Sequence, residues 1–195
     1  MNQRTRHIVA AFAAASVVVG GLAACVATDG GTRMPVGLPS LSASSGDDVH
    51  TAENGYIAGG ESVSSFDEHL PTIAKLDPEL RAAVQSAETA AKADGFEFVI
   101  SSGWRSAAYQ QALLDEAVVT YGSYNEARKW VNTPELSKHV TGDAVDIGYT
   151  DADSWMSQHG AAYGLCQIYT NEMWHFELAT EPGGECPVQL GDSAG

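Results

Sequence analysis

The stretch DAVDIGY, Asp143 to Tyr149, alternates with the period of a β-strand and so limits what the chain around it can become. Val145 and Ile147 fall on one face, and Ala144, Asp146 and Gly148 on the other. The first face needs an apolar cover. The second carries a carboxylate between two small residues that leave room beside it.

The neighbouring segments supply helices for that cover. Asp77 can cap a helix with Pro78 in its first turn, and Leu80, Ala83, Val84, Ala87 and Ala91 recur at helical spacing until Gly95. FEFVISS, from Phe96, reads as a strand. Ser106 can cap a second helix whose apolar face is Leu113, Leu114, Ala117, Val118 and Tyr121, ending before Gly122. Ser123 and Glu126 have capping-box spacing for a short helix through Val131. Asp153 to Tyr163 reads as a helix closed by Gly164, and LCQIY, the turn residues Thr170 and Asn171, and MWHFEL read as a hairpin. Helices dominate early and strands late, with no internal repeat. The expected fold is α+β, a single small domain of helices packed on a small antiparallel sheet that carries the candidate site.

The chain has 195 residues, enough for one domain with a well-developed core. Its N-terminus reads differently. Arg4 and Arg6 precede the uncharged IVAAFAAASVVVGG, too short and too rich in alanine and glycine for a spanning helix. LAAC, ending at Cys25, resembles the lipobox of bacterial lipoproteins, in which the cysteine becomes the lipidated N-terminus. That resemblance implies a signal peptide over 1–24 and a lipid anchor on Cys25 that holds the protein to the outer face of the cytoplasmic membrane. An ordinary signal peptide with an incidental Cys25 is the alternative. Residues 25–70, rich in Gly, Ser, Thr, Asp and Pro, read as a flexible tether, leaving 71–195 as the folded domain.

Of three cysteines, assigning Cys25 to the lipid leaves Cys166 and Cys186, a pair in an oxidising compartment. A disulfide between them closes a loop that, on the chain-entropy model, stabilises the fold by roughly 3 kcal/mol. Two buried free thiols are the alternative. The net charge is −15; the segment before Cys25 holds two of the ten basic residues and none of the 25 acidic ones, so the remainder stands at −17. Such acidity argues against nucleic acid as a partner. Nothing in the sequence demands more than a monomer.

Six histidines are present; His7 falls in the signal and His50 in the tether, and His69 and His159 stand near helix ends without acidic or cysteine neighbours at ligand spacing. His139 precedes the strand bearing Asp146, and His175 lies in another strand with Glu172 three residues before it. Two imidazoles and a carboxylate from separate elements make the three-ligand set that lets zinc keep a fourth position for water. Glu172 is then the spare carboxylate able to take a proton from that water and pass it on. Positions three apart in a regular strand face opposite ways, so Glu172 should lie in the turn, or a bulge should re-aim it. Arg105, directly after a strand and before a helix cap, is placed to reach a site at the strand ends with a fork suited to a carboxylate or oxyanion. Taken singly, each segment also reads as ordinary structure: a loop entering a strand, a half-buried strand with a satisfied histidine, a surface ion pair.

Together, SGWRS…YQ, S-x-H-x-x-G-x-A-x-D and E-x-x-H resemble, in this order, the VanY and VanX group of zinc D,D-peptidases, with its D-alanyl-D-alanine carboxypeptidases, dipeptidases and related L,D-carboxypeptidases. The resemblance spans roughly Asp77 to Leu178, and its most specific part is the second motif, matched by Ser137, His139, Gly142, Ala144 and Asp146. It implies His139, Asp146 and His175 as zinc ligands and Glu172 as general base. It also implies Arg105 as a stabiliser of substrate and oxyanion, Gln110 and Ser137 as substrate contacts, and Trp174 as an aromatic beside the last ligand.

The implied substrate is a peptidoglycan stem peptide ending in D-Ala-D-Ala, whose trimming limits cross-linking and removes the target of glycopeptide antibiotics. A dipeptidase fits an exported protein less well, because free D-alanyl-D-alanine is cytoplasmic. L,D-carboxypeptidase or endopeptidase activity, or a wall-binding module that keeps the metal fold without turnover, stay open. The loops between the motifs depart from the family pattern: the segment between Arg105 and His139 is compact and PELSKH lacks a glycine before Ser137.

Overall fold

The structure, a computed structural model, describes residues 48–59 and 61–195. Its elements are α1 (Pro71–Ala74), α2 (Pro78–Ala93), β1 (Val99–Ser102), α3 (Ala107–Tyr121), α4 (Tyr124–Ala127), α5 (Lys138–Thr141), β2 (Ala144–Gly148), α6 (Thr150–His159), β3 (Leu165–Gln167) and β4 (His175–Leu178). A 3₁₀ turn, Gly160–Tyr163, continues α6.

All four strands pair antiparallel in the order β1-β2-β4-β3. The alternation in β2 decides which face does what. Ile147 pairs with Ile100 and Val145 with Phe176, all fully buried, so this face is the core side. Leu80, Val84, Ala87 and Ala91 of α2 and Ala152, Trp155 and Met156 of α6 join the same cluster. On the reverse face Asp146 pairs with His175 and Ala144 with Glu177, next to a register shift in β1 between Ile100 and Ser102. One sheet thus keeps its polar chemistry apart from its core.

The helix caps follow the sequence. Asp77 Oδ1 accepts from the backbone N–H groups of Glu79 and Leu80, at 2.8 and 3.1 Å. Ser106 and Ser123 cap α3 and α4 through the N–H groups of Tyr109 and Glu126. The short helix ends at Ala127 rather than Val131. In α3, Tyr109, Gln110, Leu114 and Ala117 are buried while Tyr121 is exposed and stacks on Trp130, so its buried side is turned toward the N-terminal end of the expected face. The Cys166–Cys186 disulfide is present.

The expectation of a tether reaching residue 70 requires correction. Val63 is buried and bridges to Ile100 in β1. The carboxylate of Glu88, fully buried in α2, accepts hydrogen bonds from Ser64 Oγ, Ser65 N and Ser65 Oγ and an ion pair from Lys92. Further back, Ser106 N–H donates to Asn54 O at 2.9 Å. Gly55, at φ +86°, lies against the Trp104 carbonyl, which a Cβ would meet at 2.0 Å. His50 packs edge-on against Tyr56 and Tyr109. Single contacts of this kind leave no periodicity in the sequence. Residues 1–47, with the expected signal, Cys25 and the start of the tether, lie outside the described residues.

Burial alone would raise the Glu88 carboxyl, but the hydrogen bonds from Lys92, Ser64 and Ser65 outweigh it and hold the group below its ordinary value. A carboxyl lowered in the folded state stabilises the protein above the unfolded-state value, and that contribution fades as pH falls through the folded one. Glu88→Ala is expected to cost about 2–4 kcal/mol at neutral pH, because it strands the Ser64 and Ser65 donors. The penalty should shrink in acid. Denaturant titrations at pH 7 and pH 4 check both statements, and an equal loss at the two values would contradict the assignment.

Candidate metal centre and active site

His139 reaches the reverse face of the sheet from α5, a single turn that must stop at once. Gly142 stops it at φ +84°, and a Cβ there would strike the Lys75 carbonyl at 2.4 Å. The backbone of Arg105 is tied to the same turn through its N–H to His139 O, 3.1 Å. Asp146 and His175 arrive as cross-strand partners on β2 and β4. All three side chains are buried.

Their ligand atoms converge. His139 Nε2, His175 Nδ1 and Asp146 Oδ1 stand 3.2 Å from one another on all three sides. Donors on a tetrahedral ion with bonds of ~2.0–2.1 Å are separated by roughly 3.3–3.4 Å, so the spacing fits a metal ion with a fourth position left over. The surroundings orient the lone pairs inward. His139 Nδ1–H donates to Gly103 O at 2.8 Å, and His175 Nε2–H donates to Glu177 at 3.1 Å; both acceptors can only accept, which frees the opposite nitrogens.

Arg105 holds the third ligand. Its Nη2 donates to Asp146 Oδ2 at 2.6 Å, its Nε to Ser102 Oγ at 2.7 Å and its Nη1 to Gln110 Oε1 at 3.2 Å. Gln110 is in turn fixed by donating to Asn132 O. Part of the guanidinium fork is therefore spent on bracing Asp146 and Gln110. Burial alone would raise the Asp146 carboxyl, but His139 and Arg105 hold it well below the usual range. Burial, then Arg105, keeps His139 below its ordinary value.

Glu172 lies in the irregular segment before β4, as the face argument required, with Oε2 3.9 Å from His175 Nδ1. Its Oε1 is buried without a hydrogen-bond partner among the described residues. Burial drives its carboxyl up; His175 and Arg105 oppose and Asp146 adds, with the result near pH 7. These groups line a cavity of about 210 Å³, to which Ser137 also contributes, buried and without a side-chain capping bond. All eight residues singled out from the sequence for this site, Trp174 among them, therefore meet at one cavity.

Sequence reasoning does not single out Glu177, Gly103, Tyr169 or Ser193. Glu177 sits two residues after His175, where strand alternation alone would put it on the same face. Ser193 comes from the C-terminal segment, its Oγ donating to Arg128 O and its carbonyl accepting from Asn132, and it lines the cavity.

Comparison with known proteins agrees with this geometry. A D-alanyl-D-alanine carboxypeptidase of Enterococcus faecalis (strain ATCC 700802 / V583) is 28% identical over 134 residues, 56% of this chain and 50% of that protein, so the chain spans about half of that relative's length. Among solved structures, a mutant of the vancomycin-resistance D,D-pentapeptidase VanY, in complex with Zn(II), is 26% identical with a TM-score of 0.50, covering 56% of this chain and 73% of that one. VanYB in complex with D-alanine-D-alanine is 27% identical, again with a TM-score of 0.50, over 52% and 70% of the two chains. The profile of the VanY family, D-alanyl-D-alanine carboxypeptidase, matches residues 73–182, more than half of the sequence, and the chain belongs to that family.

Proposed function

We propose that this protein is a zinc-dependent D-alanyl-D-alanine carboxypeptidase that removes the terminal D-alanine from peptidoglycan stem pentapeptides. The observation that carries the reading is a metal-sized triangle of inward-facing lone pairs with a buried carboxylate at its edge, Glu172, whose Oε1 has no hydrogen-bond partner among the described residues. His139, Asp146 and His175 would hold the zinc, which when bound supplies the Lewis acidity that makes water nucleophilic near neutral pH. Glu172 accepts the proton of the attacking water and delivers it to the departing D-alanine amine. A carboxyl near pH 7 suits both halves of that transfer, and a bound cation lowers it toward the ionised base. Arg105 keeps Asp146 in register and turns its remaining N–H groups toward the peptide carbonyl or carboxylate. Gln110 and Ser137 complete the polar wall around the substrate.

An envelope location, with a lipid anchor on Cys25, is supported by the lipobox-like LAAC and by a disulfide, which needs an oxidising compartment. A domain held there meets stem peptides directly.

The test is D-alanine release from a muramyl pentapeptide with and without chelator. Release that zinc restores supports the proposal. Cleavage of the tetrapeptide instead would move the activity to L,D-carboxypeptidase, and silence on both with zinc bound would favour a wall-binding role.

Metal loading should also be proton-linked. Burial lowers His175, but hydrogen bonds with Asp146 and Glu177 outweigh it and bring the free ring to about 9. The ring is charged at neutral pH without metal, and a ligand must be neutral, so binding displaces a proton. Zinc affinity is expected to fall about tenfold for each pH unit below that value. Competition against a chromophoric chelator at pH 6.5, 7.5 and 8.5 measures the slope; a flat profile would show that His175 is not a ligand.

A further inference from the structure

The match to the VanY family ends at residue 182, and the chain continues beyond it as a strap whose Ser193 lines the metal cavity. The strap grips two walls at once. On one side it pairs with the segment leading into Glu172: Leu190 N–H donates to Ile168 O and Thr170 N–H to Leu190 O, both at 2.9 Å, and Thr170 Oγ1 donates to Gly191 O at the same distance. On the other side, Asn132 Nδ2 donates to Ser193 O and Ser193 Oγ donates to Arg128 O, each at 2.9 Å. Ser193 is thereby held at the cavity wall, only 8% exposed.

Glu172 lacks a partner of that kind. Its Oε2 faces His175 Nδ1 at 3.9 Å, toward the metal triangle, whereas its Oε1 is enclosed without a hydrogen-bond partner among the described residues. An ionised carboxylate enclosed in this way is costly, and only a side chain already packed beside it can donate to it. Arg105 is engaged with Asp146, Ser102 and Gln110. The Ser193 hydroxyl is close enough to lower the Glu172 carboxyl, an influence that follows burial and the charges of His175, Asp146 and Arg105. A serine hydroxyl carries one proton and turns about its Cβ–Oγ bond, so it serves either Arg128 O or Glu172 at a given moment.

We propose that Ser193 is a positioning residue for Glu172: its hydroxyl rests on Arg128 O while Glu172 is protonated and turns to the carboxylate when Glu172 is ionised. The bond to the hydroxyl then aims the carboxylate at the attacking water. The hydroxyl keeps its own proton throughout; the proton of the water passes to Glu172 and from there to the departing amine. The double grip of the strap sets how far the Glu172 segment stands from Arg128 and Asn132, and so keeps the hydroxyl within reach. The metal ligands keep their orientation without Ser193, because Gly103, Glu177 and Arg105 provide it.

This role rests on the proposed peptidase reading and deepens it by naming what aims the base. In the zinc-loaded protein, Ser193→Ala is expected to lower kcat for D-alanine release from the muramyl pentapeptide about tenfold, with KM within about twofold, as the loss of a hydrogen bond to a charged group would give. The same substitution in Glu172→Gln protein should leave the residual rate within about twofold, because the group it acts through is gone. A loss of folded protein, by contrast, would lower the rate equally in both backgrounds. Equal losses in the two backgrounds, no loss in the first, or a change confined to KM overturns the role. Should the pentapeptide not be cleaved at all, the peptidase reading fails by itself. The positioning role is then judged by infrared difference spectra of zinc-loaded, carboxyl-labelled wild type and Ser193→Ala. A shifted carboxylate band that vanishes when both proteins carry Glu172→Gln supports it, and superimposable spectra overturn it.

Discussion

Glu172→Ala is expected to lower kcat for D-alanine release by about 10²–10⁴-fold while zinc remains bound. The two halves of this result come from one geometric fact: Glu172 stands at the edge of the metal triangle, 3.9 Å from the nearest ligand nitrogen, without belonging to it. Its removal would delete the proposed proton carrier and leave His139, Asp146 and His175 with the partners that orient them, Gly103 and Glu177 for the rings and Arg105 for the carboxylate. Glu172→Gln should be nearly as slow, since an amide cannot carry the proton. Pre-steady-state release assays paired with zinc analysis by mass spectrometry separate the effects. Loss of zinc along with activity would make Glu172 a ligand, and retention of activity would remove it from the mechanism.

Asp146→Ala is expected to fail more broadly, in metal binding and in folding together. The Asp146 carboxylate faces two ways: Oδ1 completes the metal triangle and Oδ2 neutralises Arg105, which is itself nearly buried. Taking one partner from a buried pair strands the other charge, at a cost of about 3–5 kcal/mol. Urea unfolding of the metal-free proteins isolates this loss from that of zinc stabilisation. An unchanged midpoint would mean that Arg105 finds another partner or water. The double variant Arg105→Met, Asp146→Ala should recover part of the loss, because no uncompensated charge is left.

The sequence announced the parts of this site that repeat or alternate. The cap at Asp77, the apolar face of α2 and the alternation of β2 are local patterns, each satisfied by residues within a turn or two. Glu172 could be placed in the connecting segment because a strand cannot turn both it and His175 to one face. What stayed illegible is held by single long-range contacts. Val63 is one apolar residue in a polar stretch, and only its pairing with Ile100 and the clasp of Glu88 on Ser64 and Ser65 make residues 63–65 part of the fold. Ser193 is likewise brought to the cavity by bonds to Asn132 and Arg128, more than 60 residues earlier.

The Cys166–Cys186 bond joins β3 to the segment that continues through Leu190, paired beside Tyr169, to Ser193 at the metal cavity. Without that covalent link the last stretch is held only by a few hydrogen bonds, and the wall of the cavity it forms has far more freedom. Thiols stay reduced inside the cell and become oxidised outside it. The bond therefore makes the shape of that wall depend on the oxidation state of Cys166 and Cys186.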